Sequence, residues 1–200
     1  SINDSDKWIG FCSYRRFWSN KAKNHINSIN DLQNVIIKDP PSKWEDFDVI
    51  LGDPLFFKKI KNIKLIKRNF IEVLKKPSVL FRNNSLMDHF KIFHGSFFLK
   101  IALNHLSNDD RNGFVKYLNN FELNPYNMFI CKNKKILFNF YEVIFPWLFK
   151  CENDFKNIEL EGYDKKRIYG FLAERFMPYW FKKNYKTTTC PITFLNRIKE

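Results

Sequence analysis

No apolar stretch of this chain approaches the ~18 residues that a bilayer-spanning helix needs. The longest candidate, Ile136 to Phe149, is interrupted by Asn139, Glu142 and Pro146. Paired cysteines are missing too. Cys12, Cys131, Cys151 and Cys190 are scattered with no Cys-x-x-Cys, so their spacing suggests neither a zinc site nor a disulfide framework. A reducing cytoplasm fits such thiols, and Cys12 and Cys131 fall in apolar runs that read as buried strands. There is no internal repeat and no low-complexity linker, so residues 1–200 read as one domain. A secretory leader is not visible, although a start at Ser1 instead of Met would conceal one.

Acidic residues are the scarce charge, 21 against 34 Lys and Arg, which leaves a formal net charge of +13. That balance raises nucleic-acid binding as a class. The lysines are dispersed, from Lys58 to Lys76 and on to Lys199, and the heavy use of Phe, Lys, Asn and Ile follows AT-rich codons. A nucleic-acid partner is therefore not expected. The long-range field favours anionic membrane lipid or a diphosphate-bearing substrate instead.

What the chain does have is apolar residues, 44% of it, enough for a real core. Trp8, Ile9, Phe11 and Cys12 put apolar bulk on both faces of a first strand, which suits a central position covered by helices. A polar loop follows from Ser19 to Asn30, then a short helix with Asn30 as N-cap, stopped by Asp39-Pro40-Pro41. Phe47 to Leu51 is the second strand, ended by Gly52 and Pro54. Leu55 to Lys76 carries an amphipathic stripe closed by Pro77. Ser85 caps a helix whose apolar face runs Leu86, Phe90, Phe93, Phe97 and Ile101, and Ser107 with Asp110 opens another, reaching Asn120. Tyr126 to Cys131 reads as a strand, with a helix from Asn133 kinked at Pro146. Asp164 opens a helix through Phe181, and the tail from Thr187 is extended or irregular. The alternation argues an α/β fold with a mainly parallel sheet flanked by helices.

Ligands of open α/β sheets gather beyond the carboxyl ends of strands. Arg15 and Arg16, at the end of Lys7 to Trp18 (KWIGFCSYRRFW), stand at such a place. Their planar forks match phosphate oxygens, although two solvated arginines in a surface turn would have the same spacing. KWIGFCSYRRFW resembles the strand-(H/S)YRR(Y/F) signature of a bacterial glycosyltransferase-like family long labelled a domain of unknown function and found among capsule and exopolysaccharide synthesis proteins. Phe47 to Pro54 (FDVILGDP), Asn124 to Phe149 (NPYNMFICKNKKILFNFYEVIFPWLF) and Arg167 to Trp180 (RIYGFLAERFMPYW) are similar to its later segments, in the family's order. Ser13 stands where His is common. The resemblance implies a GT-A-like fold. The chain opens almost directly on the YRR strand, so it reads as a fragment that lacks the N-terminal strand or strands.

It also implies transfer of a sugar from a nucleotide-diphosphate donor to a growing capsule, lipopolysaccharide or exopolysaccharide acceptor. The expected partners are a nucleotide sugar and a glycan or lipid-linked acceptor, in the cytoplasm, with room for peripheral contact at the inner membrane face. Charge that builds on the departing diphosphate must be neutralised. No Asp-x-Asp follows the first strand, and Asp46-Phe47-Asp48 precedes its strand. Arg15 and Arg16 are thus expected to replace a metal, placed by Tyr14, with no cofactor.

For the base, Asp53 follows a strand at the same edge, where it is equally a turn residue of Gly52-Asp53-Pro54. Asp88 and His94 lie in MDHFKIFH, which resembles the family's acidic/aromatic-then-His segment; a satisfied helix histidine is the alternative for His94. His89 and His94 are five apart and share a helical face poorly, which disfavours a metal pair. Asn127 begins the third strand and is read either as a sugar-hydroxyl contact or as a strand-edge residue. Glu174 is read as substrate-binding or as half of an ion pair with Arg167. A non-catalytic carbohydrate- or phosphate-binding remnant and a basic peripheral membrane protein are the competing functions.

Overall fold

The computed structural model describes residues 8–21, 25–56, 74, 84–158 and 166–196. The chain enters through β1 (Ile9–Gly10), β2 (Arg16–Trp18), β3 (His25–Ile26) and α1 (Ile29–Gln33). A single 3-10 turn (Ser42–Trp44) precedes β4 (Val49–Gly52) and β5 (Leu55–Phe56). Next come α2 (Leu86–His94), α3 (Ser96–Asn104), α4 (Asn108–Leu118), β6 (Glu122–Leu123) and β7 (Phe129–Cys131). The last elements are α5 (Lys134–Phe155), α6 (Ile168–Asn184), β8 (Thr187–Cys190) and β9 (Ile192–Leu195). They divide into two compact units: Ser1–Pro54 with Asn124–Tyr141 and Trp180–Glu200, and Leu55–Leu123 with Glu142–Tyr179.

The first unit is built on β4. Val49, Ile50 and Leu51 are fully buried, as an apolar run with both faces covered requires. Their neighbours give a sheet in the order β1-β7-β4-β8. On one face Ile50, Ile130 and Met128 pack with Trp18, Trp44 and Cys190. On the other, Phe129 meets Phe140 and Phe181 at ring separations of 5.5 and 4.8 Å. A second sheet, β2-β9-β3, takes its middle strand from the end of the chain.

The fold is mixed α/β, and among the described residues its sheets combine parallel and antiparallel pairings instead of mainly parallel ones. β4 pairs with β8 and β3 with β9 in parallel, whereas β1–β7, β4–β7, β2–β9 and β5–β6 are antiparallel. The chain leaves β4 at Gly52 and returns at Asn124, whose Nδ2 donates to the Gly52 carbonyl at 2.7 Å. A chain that re-enters at the edge it left must run back, so β7 opposes β4. The expected central first strand is β1, at the margin of its sheet among the described residues, and Cys12 is exposed instead of buried.

The second unit is mainly helical. Ser85 and Asp88 form a full capping box at the start of α2, and the Ser107 side chain accepts from the Asp110 N–H at the start of α4. The continuous helix expected from Leu86 to Ile101 breaks at Gly95, which takes φ 97° between α2 and α3. Phe114 packs edge-on to Phe176 at 5.3 Å, and Trp147 Nε1 donates to the Ala102 carbonyl at 2.8 Å. Pro146 and Pro178 lie inside α5 and α6. Leu55–Phe56 is a strand paired to β6 and not a helix start; residues 57–73, 75–76 and Asp164 lie outside the described residues. α1 is capped by Ser28, not Asn30, because the Ser28 side chain takes the Asp31 N–H. Among the described residues no helix is long and apolar enough to cross a membrane.

Gly95→Ala places a Cβ 3.3 Å from Phe98 Cδ2 at a φ that L side chains avoid. It is expected to cost about 1–2 kcal/mol, read as a lower urea midpoint at unchanged slope. Burial pushes the thiols of Cys131 and Cys151 up to about 12 and that of Cys190 up to about 11. Iodoacetamide at mildly alkaline pH should therefore modify Cys12 first in the folded protein, and the other three only in urea, as followed by mass spectrometry.

Candidate functional site

Ser13 to Arg16 form a turn closed by Arg16 N–H donating to the Ser13 carbonyl at 3.0 Å, with Arg15 at φ 59°. The turn feeds β2, where Arg16 lies opposite Phe194 of β9, and Leu195 N–H donates to the Arg15 carbonyl at 2.9 Å. Both guanidiniums lie on rings. The Arg15 guanidinium carbon is 4.9 Å from the centre of Tyr14 and 4.8 Å from that of Phe194. The Arg16 carbon is 4.3 Å from Tyr126 and 5.4 Å from Phe194.

Each such contact is worth about 0.5–1 kcal/mol where exposed and more where dry. Both arginines are half-buried, while Tyr14 is 74% exposed and offers its hydroxyl to solvent. Arg16 Nη1 donates to Ser13 Oγ at 3.4 Å, and Arg15 Nε is buried with no partner. No carboxylate forms an ion pair with either among the described residues. Two adjacent cations over one shared ring, without a fixed counter-charge, make a place for an anion.

The remaining first-unit candidates lie at the edge where β4 ends. Asp53 N–H donates to the Cys190 carbonyl at 3.0 Å, and its half-buried carboxylate follows the strand. Asn127, expected to begin a strand, is exposed in the turn before β7 at φ 52°, and Tyr126 beside it has φ 79°. Asn tolerates that region and Tyr does not readily. Among the described residues, the non-glycine positive φ values are those of Arg15, Tyr126 and Asn127, all in this unit, and Arg16 stacks on Tyr126. Backbone strain of this kind gathers where geometry is over-determined for function. Asn124 is 1% exposed and holds the edge closed through Gly52; its Oδ1 is buried without a partner.

Tyr126, Phe194 and Asn124 were not foreseen. The signal that could have found the first of them is the turn-forming Asn-Pro-Tyr-Asn, which was read instead as leading into a strand from Tyr126. Nothing local announces that Phe194 pairs with a strand near the other end of the chain. Asp48 Oδ2, as its place before β4 implies, is engaged elsewhere, accepting from Lys186 N–H at 3.0 Å.

Asp88, His94 and Glu174 belong to the second unit. Asp88 is buried in the capping box, where its Oδ2 accepts from Ser85 Oγ at 3.1 Å and from Ser85 N–H at 3.4 Å. His94 is buried and stacked on Phe171 at 4.0 Å, with Phe90 edge-on at 5.0 Å. Glu174 meets Arg175 at 3.6 Å, while Arg167 lies over Phe171 at 5.6 Å. Burial lowers the Arg175 pKa to about 10 against the opposing pull of Glu174. Its Nη1 donates to the Phe171 carbonyl at 2.9 Å and its Nη2 to His89 Nδ1 at 3.2 Å, a geometry that needs His89 unprotonated at Nδ1.

A family profile described as a domain of unknown function (DUF4422) matches residues 2–185. No curated protein matches the chain. Among solved structures, the apo form of the WbbM bifunctional glycosyltransferase is similar in fold, with a TM-score of 0.68 at 18% identity. The match covers 98% of this chain and 34% of that one, so this chain spans about a third of its length.

Ser85→Ala and Asp88→Ala should each lower stability by about 1–2 kcal/mol, the scale of a lost N-cap. Urea titration measures this. Asp88→Ala at undiminished stability would mean that the carboxylate does not serve the cap.

Proposed function

We propose that this chain, which belongs to the DUF4422 family, is a glycosyltransferase domain that moves a sugar from a nucleotide-diphosphate donor to a glycan or lipid-linked acceptor of a capsule, lipopolysaccharide or exopolysaccharide. The observation that carries this reading is the pair Arg15 and Arg16, held over Tyr14, Tyr126 and Phe194 with no acidic partner among the described residues. A likeness in fold to a glycosyltransferase supports it.

As the bond from the anomeric carbon to the diphosphate lengthens, negative charge grows on the leaving oxygens. Donors already fixed where that charge appears stabilise it without reorganising. The two forks supply them, and stacking restricts their swing. Asp53 is the carboxylate for the acceptor's proton, and Asn127 offers an amide to a sugar hydroxyl. In this reading Asp88 and His94 hold the helical unit and do not touch substrate. The reaction needs no metal and takes place in the cytoplasm, at the inner membrane face when the acceptor is lipid-linked.

Arg15→Ala and Arg16→Ala are each expected to lower kcat by about 10²–10³, the cost of losing one fixed donor to developing charge. Lys at either position keeps the charge and loses the fork, so recovery should be partial. Saturable thermal stabilisation by a UDP- or GDP-sugar, absent in both Ala variants, checks binding apart from turnover. Activity abolished by EDTA and restored by manganese or magnesium would defeat the metal-free step.

A further inference from the structure

The helical unit carries an open groove of about 540 Å³ between α2, α3 and α4. That lies within the ~300–1,000 Å³ of small-molecule sites. Its apolar lining is Met87, Phe97, Leu99, Leu103 and Val115. Leu99 is buried, at 1% exposure, while Phe97 is 53% exposed, so the lining runs from dry to wet. Among the described residues three cations share the lining, Lys91, Lys100 and Arg111, and no carboxylate does.

Arg111 is partly engaged, because its Nε donates to the Leu103 carbonyl at 2.9 Å and its Nη2 to the Asn104 carbonyl at 3.1 Å. Those bonds tie the end of α3 to α4 and fix one wall of the groove. Lys91 is half-buried and Lys100 exposed, and neither has an ion-pair partner among the described residues. Ser96 and Asn104 are its neutral polar residues, and an apolar trough whose described charged residues are all cations suits a hydrocarbon chain that ends in an anion. Burying the chain supplies about 25 cal/mol per Å² removed from water, and the ammonium groups select the head.

We propose that this groove binds the hydrocarbon chain of a single anionic, phosphate-headed lipid, with Lys91 and Lys100 at the phosphate. The site lies wholly in the second unit and does not depend on the chemistry of the arginine pair.

The probe is dodecyl phosphate, kept below its micelle concentration and titrated into the full chain by calorimetry without nucleotide. Saturable binding is expected. Dodecyl maltoside, dodecyltrimethylammonium and inorganic phosphate should each bind at least about 10-fold more weakly, as each lacks half of the recognised chemistry. Lys91→Glu with Lys100→Glu should weaken dodecyl phosphate by about 10-fold or more, two reversed charges being worth at least one such step.

Val115→Trp, which fills the trough, should abolish binding while circular dichroism stays native; if it misfolds, the double lysine variant carries the test. Equal binding of the cationic or neutral detergent overturns the proposal. So does attachment to phosphatidylglycerol vesicles that the double variant leaves unchanged, or binding of an acidic amphipathic peptide in preference to the lipid. Failure here leaves the transferase reading intact, because that reading is measured by nucleotide-sugar binding and turnover.

Discussion

The hydrogen bond from Asn124 Nδ2 to the Gly52 carbonyl is short, 2.7 Å, and the side chain that makes it is 1% exposed. It joins the point where the chain leaves the first unit to the point where it returns. With the two ends tied there, β7 has to run against β4, and the turn before it falls at the edge where β4 stops. Tyr126 then lies where Arg16 can rest on its ring. A buried amide bonded to a backbone carbonyl in dry surroundings resists opening, because either group left alone costs about 1–3 kcal/mol.

The unit handles positive charge in an instructive way. A carboxylate beside Arg15 or Arg16 would steady them, and it would also fill the place an incoming anion needs. Rings fix a guanidinium without neutralising it. Arg175 in the other unit shows the contrary solution. It is buried against a carbonyl, an imidazole nitrogen and the nearby Glu174, and burial draws its pKa down. One arrangement leaves charge available and the other consumes it. Two kinds of arginine environment thus stand in one chain, one stacked on rings and one hydrogen-bonded and buried.

Much of the architecture was legible where its cause is local. Ser85 and Ser107 cap helices through residues three positions away, and both caps form as the sequence implies. Val49 to Leu51 is apolar on both faces and is the buried strand. Strand direction was not legible, because a fully apolar strand looks the same beside a parallel or an antiparallel neighbour. The break at Gly95 was hidden by apolar residues that keep their helical spacing across it. The positions of Arg15, Arg16 and Asp53 relative to the strands before them were legible in the sequence. Phe194 was not, since its role arises from pairing across almost the whole chain. Asp88 drew notice through the resemblance of its MDHFKIFH segment, and the structure places it in a capping box with Ser85.

The middle position of β9 in its sheet has a further meaning for biosynthesis. β2 and β3 are near neighbours in sequence, yet neither touches the other in the ladder, and each bonds to β9. On a ribosome that adds roughly 5–20 residues per second, they wait about ten to thirty seconds for that strand. During that interval both present open backbone edges, the kind that recruits foreign strands or chaperones. Phe194, the ring beneath the two guanidiniums, arrives with that same strand, so the cradle of Arg15 and Arg16 closes only once β9 has been made.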